Sequence, residues 1–426
     1  MSREAWTAGT LGPLSAALVR RDAAVFFHQE GSSPCVSALR GVEGIWLEDL
    51  DGRRYIDLHG NTAHHLGHAH PRLVAALLEQ AHDLSFSPRR FTNEPAVLLA
   101  ETLLAAWPGI PAKVLFATGG SDAIEIALRL ALVATGRREI LSLEGSYHGH
   151  GFGALGLSSA ALDPRLALVA PDRRHVTPYW DAARGGAERM VEDIAQALSG
   201  SAGGVSAVIA EPIRSNCHVP PDWLWPAVRA LCDRHGTRLI FDEIPSGLGK
   251  TGRFFAFEHF DVRPDAVVLG KSLGGGLLPI AAVIADAAMD VAPQLNLGHY
   301  THEKNPLTAR VALETLRVIA DENLVARAGD RGAYAARAVA RLAERSPHVR
   351  GFRGKGLLAA IELKDDPRTG RSAAAIAKAA VWSCLRIGVS TVTKPGGALG
   401  FSAPLIVSEH EIDLALEQIE QALDRS

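Results

Sequence analysis

The chain has 426 residues, 47% hydrophobic and 21% charged, and at roughly 150 residues per domain it is expected to form two or three domains with a large buried core, without disulfide or metal staples. Its 44 basic residues against 47 acidic ones leave a net charge of −3, which gives no bulk attraction to nucleic acid or an anionic membrane and leaves room only for a local basic pocket. The chain shows no apolar run of roughly 18 residues, no apolar signal core in the opening Met1-Ser-Arg-Glu-Ala-Trp6 and no CxxC pair among Cys35, Cys217, Cys232 and Cys384, so the expectation is a globular cytoplasmic protein with no membrane partner.

The first patterned stretch runs from Gly44 to Leu58, and its alternation around Asp51-Gly52 predicts a β-hairpin within residues 1–60. From 61 to 320, helical patterns alternate with the short apolar runs Lys113–Ala117, Glu139–Leu143, Ala207–Ala210, Arg238–Phe241 and Ala266–Leu269. Runs of this length between helices predict an α/β fold whose sheet is largely parallel and buried on both faces. From 321 to 426, Ala- and Arg-rich helices flank Gly356-Leu-Leu-Ala-Ala-Ile-Glu-Leu363, and a last helix starts near Ser408-Glu-His-Glu411, which reads as a smaller α+β domain.

Three junctions carry chemistry. In Phe116-Ala-Thr-Gly-Gly-Ser121 a strand ends and a glycine pair turns into a helix, so backbone N–H groups at a positive helix end are open to a phosphate. In Leu239-Ile-Phe-Asp-Glu-Ile244 two carboxylates close an apolar run, at the strand end where doubly wound sheets bind ligands; Asp242 there can hold a protonated ring nitrogen. In Val267-Val-Leu-Gly-Lys-Ser-Leu-Gly-Gly-Gly276, Lys271 stands between a strand and a flexible loop, a setting for Schiff-base chemistry. Singly, each is also what a plain strand–turn–helix junction, a capping acid pair or a solvated lysine looks like. In this order they describe a phosphate cradle, an acid for a pyridinium nitrogen and an imine-forming lysine.

Gly119-Gly-Ser-Asp-Ala123, Ser146-Tyr-His-Gly149, Ala210-Glu-Pro212, Asp242-Glu-Ile-Pro-Ser-Gly-Leu-Gly-Lys-Thr-Gly252, Gly270-Lys-Ser-Leu-Gly-Gly-Gly276 and Thr301-His-Glu-Lys-Asn-Pro306 together resemble the ordered motifs of class III pyridoxal-phosphate aminotransferases. The resemblance runs from the Asp49-Leu-Asp-Gly52 region nearly to the C-terminus. It implies a fold-type-I architecture: a large domain (61–320) around a mainly parallel seven-stranded sheet, a small domain from both termini (1–60 and 321–426), and a homodimer with shared active sites. It also implies that Lys271 forms the Schiff base with pyridoxal 5'-phosphate and shuttles the proton, and that Asp242 pairs with the pyridine nitrogen. Gly120 and Ser121 would hold the phosphate, with Thr301 of a neighbouring subunit completing the cup. Tyr147 would stack on the ring, His148 would support it, and Glu211 takes the place of an active-site glutamate. Two departures stand out: the cradle reads Gly-Ser-Asp-Ala where Gly-Ser/Thr-Glu-Ala is usual, and Pro245 replaces a common glutamine.

The reaction is read from further departures. Family aminotransferases often carry Leu/Phe-Arg-x-x-Pro-Pro-Leu near the C-terminus, the arginine holding the substrate carboxylate; the matching stretch here is Leu399-Gly-Phe-Ser-Ala-Pro-Leu405, with Gly400 in the arginine's place. Asn61 and His65, in Leu58-His-Gly-Asn-Thr-Ala-His-His-Leu-Gly-His-Ala-His-Pro71, resemble the family's phospho-lyase and phosphonate ammonia-lyase branch, although His65 reads equally as a structural histidine. These histidines match no usual zinc spacing, so no metal is expected. His302, Glu303 and Lys304 stand where an aromatic and two glycines are common. Lys304 and Arg90, with Arg89 beside it, are candidate donors to an anionic substrate tail or plain surface charges. The expected activity is that of a lyase on a small amine with a phosphonate or phosphate tail, in its sharpest form the ammonia-lyase of 2-amino-1-hydroxyethylphosphonate. The alternative is an ω-aminotransferase, and a third reading is a cofactor-binding protein without turnover.

Overall fold

A computed structural model describes residues 6, 9–29, 32–159 and 173–425, so the opening Met1–Ala5 segment lies outside the described residues. The chain forms two units: Met1–His70 with Arg327–Ser426, and Pro71–Ala326. Among the described residues no helix is long and apolar enough to cross a membrane.

In chain order the strands are β1 (Leu39–Glu43), β2 (Trp46–Asp49), β3 (Arg54–Asp57), β4 (Ala112–Ala117), β5 (Glu139–Leu143), β6 (Arg173–Val176), β7 (Val205–Ala210), β8 (Arg238–Asp242), β9 (Ala266–Leu269), β10 (Ala281–Asp286), β11 (Val349–Lys355), β12 (Leu358–Leu363), β13 (Val389–Ser390), β14 (Thr393–Lys394) and β15 (Ala398–Phe401).

The unit Pro71–Ala326 is built on a seven-stranded sheet in the order β4-β10-β9-β8-β7-β5-β6. The pairs β5–β6, β5–β7, β7–β8 and β8–β9 are parallel, whereas β10 is antiparallel to both β9 and β4, so six strands point one way and one opposes them. Every residue of β7, β9 and β10 is buried. That burial is why these strands read as continuous apolar runs, with no polar alternation. The helix Gly120–Thr135 presses Ile124, Ala127, Leu128 and Ala131 onto Ile209, Ile240 and Val268, and each fully buried Leu or Ile contributes roughly 1.5–3 kcal/mol. Gly136, left-handed at φ 67, ends that helix.

The sequence expectation of a mainly parallel sheet stands, and two of its strands escaped it. Ala281-Ala-Val-Ile-Ala-Asp286 is rich in a helix former, yet pairing on both sides makes it an interior antiparallel strand, β10, next to the β4 edge. Arg173-Arg-His-Val176 carries charge because β6 is an edge strand, paired only with β5.

In the unit of the two termini, β1-β2-β3-β13 form one sheet and β11-β12-β15-β14 another. The hairpin expected around Asp51-Gly52 is β2–β3. Asp49 accepts from the Asp51 and Arg53 amides (3.1 and 2.9 Å) and from the Tyr55 hydroxyl (2.8 Å), which pins its turn. The segment 61–70, grouped with the large domain on sequence grounds, is tied here by backbone bonds from His68 N to Gly44 O (2.7 Å) and from Leu405 N to His65 O (2.8 Å). The last helix, Glu409–Asp424, starts on a capping box of Ser408 and Glu411.

Candidate active site

Six of the seven sheet strands run in one direction, so their C-terminal ends share one edge, where ligands settle in open α/β sheets. Five of those ends carry the candidate residues. β4 leads through Thr118-Gly119 into the helix starting at Gly120; β5 leads to Gly145-Ser-Tyr-His-Gly149; β7 leads to Glu211; β8 ends at Asp242; β9 leads through Gly270 to Lys271.

These ends enclose a cavity of about 190 Å³, and Gly120, Ser121, Tyr147, His148, Glu211, Asp242 and Lys271 all line it. Seven sequence-selected residues are thus brought together from five separate segments. Lys271 holds a left-handed φ of 46, a strained backbone for a side-chain-bearing residue.

The cradle is closed by tight approaches. Gly149 (φ 116) lies so near the helix that a Cβ there would stand 2.4 Å from Ser121 Oγ, and Ser121 Oγ accepts the His150 amide at 3.1 Å. Gly119 caps the helix with no side chain, so the first-turn amides have no intrahelical acceptor and remain open to an anion.

His148 Nδ1 donates to Asp242 Oδ2 at 2.8 Å, and both residues are 2% exposed. The other Asp242 oxygen accepts the Ile244 amide at 3.1 Å. His148 Nε2 is buried with no hydrogen-bond partner among the described residues. Tyr147 is 41% exposed, and burial followed by the charge of Asp242 raises its phenol pKa. Behind Asp242, Glu243 accepts the Ala256 and Phe257 amides, both at 2.7 Å, and burial pushes its carboxyl up to about 8.

Other sequence candidates lie elsewhere. Thr301 and Lys304, both exposed, sit in a turn before the helix Pro306–Asp321 and do not line the cavity. Asn93 Nδ2 donates to the Lys304 carbonyl at 2.9 Å. Arg90 is an exposed turn residue, also outside the lining. Asn61 and His65 belong to the unit of the termini, Asn61 exposed with a left-handed φ of 48 and His65 fully buried. Among the described residues no group of three or more His, Cys, Asp or Glu is placed to hold a metal ion.

Sequence reading passed over Arg214. Its guanidinium pairs with Glu211 inside the protein, Arg214 being 7% and Glu211 4% exposed. The only signal for it was a basic residue three places after Glu211.

The profile of the Aminotransferase class-III family matches residues 27–423. The chain is 37% identical to the (R)-1-hydroxy-2-aminoethylphosphonate ammonia-lyase of Vibrio splendidus (strain 12B01), over 99% of this chain and 93% of that protein. It is 35% identical to the acetylornithine aminotransferase of Methanopyrus kandleri, over 90% and 93% of the two chains. A transaminase structure from the marine bacterium Virgibacillus superposes with a TM-score of 0.87 at 26% identity, covering 96% of this chain and 98% of that one. The open amides at Gly120 and Ser121, the unpartnered His148 Nε2 and the joint presence of Asp242 and Lys271 in one cavity suit pyridoxal phosphate in size and charge. The chain belongs to the class III aminotransferases, a pyridoxal-phosphate-dependent family whose α/β fold it shares.

Proposed function

We propose that this enzyme is a lyase that removes ammonia from a small amine with an anionic phosphonate or phosphate tail, with (R)-2-amino-1-hydroxyethylphosphonate as the best candidate substrate. The observation that carries the reading is at Gly400 in β15, where the family resemblance leads one to expect an arginine for a substrate carboxylate. Gly400 is buried, its amide donates to Val392 O at 2.8 Å, and a Cβ there would lie 3.2 Å from Val392 Cγ2 and 3.3 Å from Lys394 Cε. A bidentate carboxylate clamp has neither its residue nor ready space at this position. The likeness to the Vibrio splendidus ammonia-lyase points the same way.

Pyridoxal phosphate, when bound, supplies an aldehyde that condenses with amines and a ring that withdraws electrons from the amine-bearing carbon. The amides of Gly120 and Ser121 would hold its phosphate, Tyr147 would pack on its ring, and Asp242, steadied by His148, would pair with its ring nitrogen. Lys271 Nζ takes the proton from C2 of the substrate and returns protons later. With C2 losing a proton and C1 its hydroxide, the released enamine tautomerises, takes up water and gives phosphonoacetaldehyde and ammonia. Atoms balance without a 2-oxo acid. We further read the enzyme as a homodimer in which Thr301 of a second copy completes the phosphate cup.

The second reading, an ω-aminotransferase, is favoured by the aminotransferases among its relatives. Ammonia release from 2-amino-1-hydroxyethylphosphonate without any 2-oxo acid separates the two. Many turnovers per active site support the lyase; at most one equivalent of amine consumed, with turnover restored by pyruvate, makes it an aminotransferase. Lys271→Ala is expected to abolish the yellow absorbance of the bound cofactor as well as turnover, and an active alanine variant overturns the role given to Lys271.

A further inference from the structure

Glu211 and Arg214 form a closed electrostatic unit in the cavity wall. Glu211 lines the cavity, and its Oε1 accepts the Ser215 amide at 3.0 Å while Oε2 meets the Arg214 guanidinium. Arg214 is fixed from several sides. Its Nη2 donates to Gly145 O at 2.5 Å, Nη1 donates to Ser215 Oγ at 3.0 Å, and the guanidinium carbon stands 5.5 Å from the Trp180 ring centroid. Its backbone is held as tightly, the amide lying 3.1 Å from both the Tyr179 hydroxyl and His218 O, while its carbonyl accepts the Cys217 amide at 2.7 Å.

A buried ion pair stabilises a fold little better than an apolar pair of the same volume. Its position behind the wall of a reactive cavity therefore calls for another explanation. An unpaired carboxylate at Glu211 would repel any anionic group entering this small space. Burial lowers the pKa of the Arg214 guanidinium from its ordinary value, but a guanidinium starts so high that it keeps its charge in the neutral range.

We propose that Arg214 is a positioning residue that neutralises and orients Glu211 so that the cavity accepts an anionic substrate. This rests on the reading above that the substrate carries an anionic tail. Arg214 acts through Glu211 and does not itself line the cavity.

The test measures binding of two unreactive anions, 2-hydroxyethylphosphonate and 3-hydroxypropionate, to the purified holoenzyme by calorimetry, in wild type, Arg214→Met and Glu211→Gln/Arg214→Met. The expected result is a Kd raised about tenfold or more by Arg214→Met and returned to within about threefold of wild type in the double variant, where both charges are gone. A structural role or a direct contact of Arg214 with the anion would not be rescued by Glu211→Gln. Unchanged binding in Arg214→Met overturns the proposal, as does a double variant as weak as the single one, or a wild type that binds neither anion. Should Arg214→Met fail to fold, wild type against the double variant decides: similar Kd upholds the proposal and a tenfold loss overturns it. Binding of the carboxylate but not the phosphonate defeats the phosphonate reading and leaves this comparison intact on the carboxylate.

Discussion

The Nδ1 atom of His148 stands 2.8 Å from Oδ2 of Asp242, and both side chains are buried. The imidazole arrives from the loop after β5 and the carboxylate from the end of β8, so this contact joins two segments that are far apart in sequence. It fixes the direction in which Asp242 faces the cavity. His148→Phe keeps an aromatic ring, somewhat larger than imidazole, and removes the donor. Loss of a hydrogen bond to a charged group costs about 1.5–3 kcal/mol, roughly a 10- to 150-fold fall in kcat/KM. Steady-state kinetics with saturating pyridoxal phosphate checks this, and a fall below threefold would show that Asp242 is held well enough by the Ile244 amide alone.

Gly149 is expected to tolerate no side chain. Its φ of 116 and the 2.4 Å approach of a built Cβ to Ser121 Oγ oppose substitution together. Gly149→Ala is expected to cost about 1–3 kcal/mol through backbone strain and displacement of Ser121. Because the displaced Ser121 lines the cavity and is proposed to hold the cofactor's phosphate, the larger effect is expected in cofactor affinity, a Kd for pyridoxal phosphate raised about tenfold or more at that same cost. Spectrophotometric titration of the apoenzyme gives the Kd and urea unfolding gives the stability; a stability loss with unchanged cofactor Kd would separate Gly149 from the cradle.

The lining of the cavity was legible wherever a local signal coincided with a strand end. Ser121 opens a helix after β4, Asp242 ends β8 and Lys271 follows β9, and the structure gathers them in one cavity. Arg214 was not legible, because its meaning lies in reaching Gly145 across 69 residues of chain. β10 was hidden for a related reason: its alanines favour helix locally, and only pairing with β4 and β9 makes it a strand. His65, which the sequence left equally open to a structural role and a substrate contact, is fully buried, its carbonyl bonded to the Leu405 amide.

Glu243 gives a pH dependence with a defined sign. Burial raises its carboxyl from an ordinary value of 4.5 to about 8, so between these limits the folded chain holds a proton that the unfolded chain releases. The stability this lends is fully present below about pH 4.5 and is lost as the pH rises through about 8. Glu243→Gln does not titrate, so the advantage of wild type over the variant is expected to shrink across that window. At the acid end of that window the variant is expected to be less stable by about 1–3 kcal/mol, because an amide cannot accept at both atoms that meet the Ala256 and Phe257 N–H groups, and this deficit is expected to close or reverse toward pH 8. Urea unfolding of both proteins from pH 5 to 8 checks the slope, and a constant difference would mean that Glu243 is ionised in the fold across the whole range.

Gly400→Arg tests the substrate reading from the side of specificity. The new side chain has to displace the Lys394 side chain and the Val392 methyl, which lie 3.3 and 3.2 Å from the position of its Cβ. Overpacking of this kind costs about 1–3 kcal/mol, and a lower Tm is expected. The flanking backbone bonds, Gly400 N to Val392 O and Thr391 Oγ1 to Gly400 O (2.8 and 2.7 Å), do not involve a side chain at 400 and are expected to persist. With a fork-shaped donor restored, transamination with pyruvate is expected to rise at least about tenfold relative to ammonia release, the ratio a single added bidentate pair can supply. Both activities measured on the same preparation make the ratio independent of the fraction folded. A variant whose ratio is unchanged would show that this strand position does not govern which anion is held, and the choice between lyase and aminotransferase would then have to be sought among the cavity residues themselves.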